Sequence, residues 1–517
     1  MTDVPDGWGL ERVDAIATFH RGVTFTKGDA SPDEREGTVP VLRAGNIQNG
    51  RIVWGDLVYV PRAFVSSDQT IREGDIVLAM SSGSALVVGK AAPVSSADAR
   101  RAAGFGAFCG LWRPQSQDLA EWLSHFFQTP QYRTAVAEAA QGVNINNLRA
   151  DHVGSLVVPV PPHSEQVRIV AKLDELLPRS HRAKQALVAV PLLLEKLRHS
   201  TLAAAFRGDL TADWRAKNPD VEPAAKLLTR VRAERRRKWE EAELAKMTAR
   251  RKSPTDDRWR ESYAPPRPAA IDDLPDLPEG WCWAAAGELI EGIQAGASFT
   301  CEERPPVGDE VGVAKVSAVT WGRYDEGESK TCRDSDRVDA ALFVRPGDFL
   351  FSRANTIDLV GACVISQNVS RRIMLSDKIL RFSVTSGCAD LLLWALRSPW
   401  GRREIEGLST GNQLSMRNIG QERIREIRVP LPPLEEAAEI VRRLDAAQRV
   451  QEAIHDARLQ CGGRLGKLEA AILSKAFRGE LVPQDPNDEP ADVLLARLRS
   501  GSVNGGAPHS AKSASAE

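Results

Sequence analysis

The sequence predicts an α/β (α+β) tandem repeat: two domains of short strands and helices, each running into one long helix. The first observation is a repeated phrase. "VPVPPHSEQVRIVAKLDEL" from Val158 returns as "VPLPPLEEAAEIVRRLDAA" from Val429, so that Pro159 and Pro430, Glu165 and Glu436, and Asp174 and Asp445 all differ by 271. "AFRGDL" at 205–210 reappears as "AFRGEL" at 476–481 with the same offset. The second is that short β-rich runs such as "TVPVLRAGNI", "DLVYV" and "DIVLAM" alternate with Gly, Asp and Ser turns ahead of each phrase. The third is a 4,3 spacing of apolar residues after each Pro-Pro pair.

At 517 residues the chain divides into several units. Residues 1–160 form the first domain. It opens on "VPDGW" at 4–8, which matches "LPEGW" at 277–281, and it ends in a helical stretch, "LAEWLSHFFQTPQYRTAVAEAA". Residues 161–210 form the first long helix, with a seam at Ile169, Leu173, Leu176, Ser180, Leu187, Leu194 and Leu197. A charged helix and a Pro-rich linker fill 211–276; the basic run at 235–238 reads as a solvated face or as a phosphate contact. The second domain spans 277–430, with "ADLLLWALRSPWGRREIEGL" as its helical stretch. The second long helix, 431–482, carries a weaker seam at Ile440, Leu444, Gln451, Ile454, Leu465 and Leu468. Residues 483–517 give a C-terminal helix and a tail too poor in apolar residues to order.

One polar residue interrupts each seam at the same place, Ser180 and Gln451. A single polar position fixes register in helix pairs, so the two helices pair with each other, or else each packs on its own domain. Pro191 and the pair Gly462, Gly463 interrupt the helices at one equivalent point and predict a joint there.

Composition narrows the function. Lys plus Arg (68) nearly balances Asp plus Glu (69), which excludes a chain that coats nucleic acid by bulk charge. Seven cysteines, without a CxxC pair or a Cys/His cluster at zinc spacing, read as reduced buried thiols of a cytoplasmic protein. No leader and no membrane-length apolar run is expected. The chain lacks a GxxxxGK[ST] loop, an HExxH and a GxSxG elbow. "GFGAFCG" at 104–110 has Cys109 where a dinucleotide loop needs glycine, and "KNPD" at 217–220 lacks the second Pro and the aromatic of an amino-methyltransferase loop. The residues point to binding, with no catalytic residue and no metal site.

Two variable regions, each followed by a Pro-Pro helix segment ending in "AFRG[DE]L", resemble the specificity subunit of type I restriction-modification systems. The resemblance covers residues 4 to about 499, apart from much of 233–270; Ala437 stands where the family commonly has the glutamine matched by Gln166. It implies two target recognition domains, each reading one half of a split, asymmetric double-stranded DNA target. It further implies that the long helices pair as an antiparallel coiled coil that spaces the two domains. Two modification (methyltransferase) subunits would dock on the helices and restriction (translocase-nuclease) subunits would join them. S-adenosylmethionine, ATP and Mg would act in those partners, with no cofactor in this chain. A specificity subunit of a methylation-only or related phage-defence complex shares this sequence pattern. A non-DNA coiled-coil adaptor is the alternative of another class, favoured by the neutral charge.

Side chains that could reach bases or phosphates lie in three places. The loop "SSGSALVVGK" at 81–90 offers Ser81, Ser82, Ser84 and Lys90, and aligns with "RANTIDLVGA" at 353–362, which offers Arg353 and Asn355. "GVNINNLR" offers Asn144, Asn146 and Asn147, and "GNQLSMRN" offers Asn412, Gln413, Ser415, Arg417 and Asn418; clustered amides suit adenine. "VLRAGNIQ" adds Arg43, Asn46 and Gln48.

Overall fold

The computed structural model describes residues 4–84, 87–140, 146–250, 254 and 256–413, and 416–502. It divides into two compact units, residues 1–188 with 458–517, and residues 189–457. Each unit therefore holds one variable region with the start of one long helix and the end of the other.

At the centre of unit one lies a four-stranded antiparallel sheet in the order Ala17–Arg21, Cys109–Pro114, Ile76–Ala79, Ala91–Pro93. Side chains alternate across it as strand geometry dictates. Ile76, Leu78 and Trp112 enter one core with the helices, while Val77, Ala79 and Leu111 enter a second core beneath the smaller sheet. That smaller sheet runs Gly104–Phe105, Thr38–Leu42, Val58–Pro61. Unit two repeats the plan. Its central sheet is Ile290–Ala295, Ile379–Val384, Phe349–Ser352, Cys363–Ile365, with Phe349, Phe351, Leu380 and Phe382 on one face and Leu350, Val364 and Ile379 on the other.

Each expected helical stretch is two helices. Gln117–Phe126 stops before Pro130–Ala139, and Ala389–Arg397 stops before Pro399–Leu408. Proline at the first helical position and a hydroxyl cap, Thr129 or Ser398, start the second helix in both units.

Each unit is locked at one junction. Gly7 and Gly280, both at φ +83°, turn the chain so that Trp8 and Trp281 enter the core. Only glycine adopts that conformation freely. The Trp8 indole N–H donates to the Glu165 carboxylate at 2.9 Å, and that of Trp281 to Glu436 at 2.8 Å. The glycine carbonyls accept from Ala491 N–H and Ala224 N–H, each at 2.8 Å. These last contacts expose a further repeat: "EPAAKLLTRVR" at 222–232 and "EPADVLLARLR" at 489–499 form matching helices, Ala224–Ala249 and Ala491–Ser502.

The long helices, His163–Arg207 and Leu434–Ala476, run through Pro191 and through Gly462 and Gly463 as single elements, so neither is interrupted where a joint was expected. In unit one the end of the second helix and the segment after it pack along the start of the first. Arg168 meets Asp488 at 2.6 Å, whereas twelve residues on Ser180 donates to Glu469 at 2.6 Å, with Lys184 on the same carboxylate. The buried stripe departs from the expected seam. Ile169, Leu173 and Leu177 are buried and Leu176 only half-buried, because steps of four follow the natural 3.6-residue turn where the helix packs on its domain. Ser180 is buried; Leu187, Leu194, Gln451 and Leu465 are half-buried; Ile440 and Leu444 are buried. Leu197, Ile454 and Leu468 are exposed and lie off the seam.

One further expectation changes. Of the cysteines, Cys109, Cys363 and Cys388 are buried, Cys461 is exposed and the others are intermediate. The solvated-face reading of the basic run at 235–238 describes Arg236, Arg237 and Lys238, which are exposed, while Arg235 is half-buried. Arg235 donates to the Gly287 and Ile290 carbonyls and Lys238 to Glu291, while Arg236 and Arg237 pair with glutamates of their own helix. The C-terminal tail from 503 on lies outside the described residues.

Candidate nucleic-acid interface

Both units build the same three pieces, and in unit one they line one groove. A short ribbon pairs Ser81–Ser82 with Asn146–Asn147 in unit one; in unit two Ala354–Asn355 pairs with Met416–Asn418, which pairs in turn with Thr410–Gln413. Leu148 N–H donates to the Met80 carbonyl at 2.7 Å, and Ile419 N–H to Arg353 at 2.9 Å, so Met80 and Arg353 are counterparts. The sequence alignment of 81–90 with 353–362 is therefore one residue out at its start. The second piece is a tight turn closed by Cys109 N–H to Gly106 at 2.8 Å and by Ile379 N–H to Ser376 at 3.0 Å. The third is a 3-10 turn, Ala44–Asn46 or Val316–Ala318, preceded by a basic residue, Arg43 or Lys315.

An open groove of about 1080 Å³ in unit one is lined by Lys27, Arg43, Asn46, Gln48, Ser81 and Phe108 among others. It unites Arg43, Gln48 and Ser81 from separate stretches of sequence. Arg43 lies 2.8 Å from the Asp56 carboxylate, which is itself exposed, and such a surface pair yields readily to a stronger anion. Gln48 is exposed, with its amide donating to the Gly45 carbonyl at 2.9 Å. Ser81 and Ser82 are half-buried, Ser84 and Asn147 exposed, and Lys90 half-buried just before the returning strand Ala91–Pro93. In unit two Arg353 and Asn418 bond to each other at 3.4 Å, Asn355 caps Thr356 N–H at 2.9 Å, and Gln413 is exposed.

Two expected contacts are structural. Asn46 is buried: its oxygen accepts from Arg43 N–H and its nitrogen donates to the Val53 and Gly55 carbonyls, leaving nothing for a base. Arg417 donates to the Ser409 hydroxyl and to the carbonyls of Ser409 and Gly411, stapling its own hairpin. Asn144 and Ser415, and the side chains of Asn146 and Asn412, lie outside the described residues.

The family model described as Type I restriction modification DNA specificity domain matches residues 5–188. Over 487 residues the chain is 28% identical to the type I restriction enzyme EcoKI specificity subunit of Escherichia coli (strain K12), spanning 93% of this chain and 90% of that one. With the StySPI specificity subunit of Salmonella potsdam the identity is 27% over 527 residues, 99% of both chains. Across nearly its whole length the chain is thus similar to specificity subunits of type I restriction enzymes. A chain solved in work on assembly and conformational transition of the type I R-M system shares its fold. The TM-score is 0.61 at 19% identity, over 93% of this chain and 100% of that one.

Two basic or exposed features at these loops, Lys315 and the turn bearing Phe108, were not among the expected contacts. Setting "VLRAGN" over "VAKVSA" places Arg43 over Lys315, a signal available in the sequence. Among the described residues no cluster of His, Cys, Asp and Glu is arranged to hold a metal, and no helix is long and apolar enough to cross a membrane.

Proposed function

We propose that this chain is the DNA sequence-recognition subunit of a type I restriction-modification complex, non-catalytic by itself. Residues 1–160 and 277–430 act as target recognition domains, each reading one half of a bipartite, asymmetric double-stranded target. The observation that carries this is a ribbon and turn built twice on one backbone plan with different side chains: serines and Phe108 in one unit, Arg353, Asn355 and Lys378 in the other. One scaffold with two sets of side chains suits two different half-sites.

The long helices serve as an antiparallel spacer. The contacts of Ser180 and Lys184 with Glu469 in unit one support their pairing, and forty-five residues in one helix span roughly 67 Å. Exposed Val188, Leu459 and Leu468 of unit one and Leu192, Leu193 and Leu197 of unit two give the helices apolar surface for two modification subunits. Those subunits carry S-adenosylmethionine chemistry, restriction subunits carry ATP- and Mg-dependent chemistry, and the complex acts in the cytoplasm.

The test is an exchange of residues 281–428 for the same region of a related subunit, followed by mapping of methylated adenines by long-read sequencing. One half of the motif changes and the other stays. Changes in both halves would refute modular reading. Labelled S-adenosylmethionine should yield methylated DNA only with modification subunit added.

A further inference from the structure

Phe108 exposes 69% of its surface, yet its backbone is held by hydrogen bonds to the neighbouring strand end. Its carbonyl accepts from both Met80 N–H (2.8 Å) and Ser81 N–H (3.2 Å), and the turn that carries it is closed at Gly106 and Cys109. The ring lines the groove with Arg43, Gln48 and Ser81. A fixed backbone that holds an aromatic ring in water adds little to folding, since the apolar surface stays wet.

Unit two has the same turn. The Lys378 carbonyl accepts Arg353 N–H at 2.9 Å, as Phe108 accepts Met80 N–H, and Ile379 closes on Ser376 as Cys109 closes on Gly106. Where unit one shows a phenyl ring, unit two shows an exposed ammonium, with Asp377 at 3.1 Å as its surface partner. An identical backbone with opposite side-chain chemistry at its tip is what two readers of different base pairs need.

We propose that Phe108 and Lys378 are specificity-determining residues at equivalent positions of the two half-site readers, Phe108 contacting a thymine methyl group and Lys378 a guanine edge. This rests on the DNA-reading function proposed above. In the major groove thymine alone presents a methyl group, and guanine presents the O6 and N7 acceptors that suit a lysine.

The experiment uses the full chain with its modification subunit and the motif mapped from its methylation. Each thymine of the half-site assigned to unit one is replaced in turn by deoxyuridine, which removes only the methyl. Each guanine of the other half-site is replaced by 7-deazaguanine, which removes N7. The wild-type complex should lose roughly fourfold in affinity at one thymine, the worth of one buried methyl group. F108A should bind thymine and uracil duplexes alike, and F108L should restore part of the difference. K378A should lose roughly tenfold on the cognate duplex and be indifferent to 7-deazaguanine. F108A or K378A that keeps wild-type affinity and wild-type discrimination at every position would overturn the assignment. Failure of the wild-type complex to prefer its own motif over a scrambled duplex would instead remove the DNA-reading function beneath it.

Discussion

Glu165 and Glu436 occupy the same place in the two repeats and accept the same bond from Trp8 and Trp281, but their surroundings differ. Glu436, fully buried, also receives the Thr211 hydroxyl at 2.7 Å and the Arg215 guanidinium at 2.8 Å. Glu165, 2% exposed, has no cation on it and one carboxylate oxygen without a partner. The nearby Arg168 is drawn to Asp488 instead. The difference arises in the segment after "AFRG": counting on by 271, Thr211 and Arg215 correspond to Val482 and Pro486. The Trp–Glu bond ties the opening turn of each domain to the first turn of its long helix, which explains its presence in both units. What neutralises the carboxylate has been free to diverge.

The comparison breaks most visibly at Glu436. Glu436→Ala leaves Arg215, Thr211 and Trp281 without their acceptor and is expected to cost about 3–5 kcal/mol, the range for removing one partner of a buried ion pair. Hydrogen exchange of the full chain should show the loss in residues 189–457. Protection there equal to wild type would show that the buried network contributes nothing.

Glu165→Ala is the same change in the other repeat, and it orphans only the Trp8 indole. A cost of about 1–3 kcal/mol is expected, that of one unsatisfied buried donor. Measured by the same exchange in unit one, a loss as large as that of Glu436→Ala would erase the distinction drawn between the junctions.

Much of this plan was legible in the sequence, and the reasons for the rest are physical. Offsets near 271 located the opening turn of both domains and both long helices, because a repeat keeps its buried junctions in register. The repeat of 222–232 at 489–499 escaped because its offset is 267, shifted by the unequal loops after "AFRG". The seam was read with a 3.5-residue period, but helix ends that pack on a domain follow the 3.6-residue turn, which is why Leu177 and not Leu176 is buried. Among candidate contacts, polarity alone did not separate residues that face the groove from those consumed by their own loop. Arg43 and Asn46 lie three apart in one turn, and only the fold shows the second bonded on every side. Phe108 was invisible for the opposite reason, since an isolated phenylalanine reads as core.

A transplant sharpens the contrast. Val482→Thr places a hydroxyl where unit two has Thr211, within the half-buried segment that packs beside the junction. It is expected to donate to the free oxygen of Glu165 and raise the stability of unit one by about 0.5–1.5 kcal/mol. A destabilised variant would mean that the two segments do not superpose closely enough for the hydroxyl to reach.

The smallest effect is one of pH. Burial holds the Glu165 carboxyl above its ordinary value of 4.5, opposed by the Trp8 hydrogen bond and the Arg168 charge and reinforced by Asp488. A raised acid favours its protonated form in the folded chain, so its contribution is fully present below the unfolded-state value and is lost as pH rises through the folded-state value. Glu165→Gln keeps an oxygen for the Trp8 N–H and carries no charge at any pH. Variant and wild type should therefore unfold alike in acid, with the variant gaining ground as pH climbs through the shifted titration and holding that gain at neutrality. Urea midpoints followed by exchange in unit one across this range give the answer. Parallel curves would show that the lone carboxylate costs the first repeat nothing.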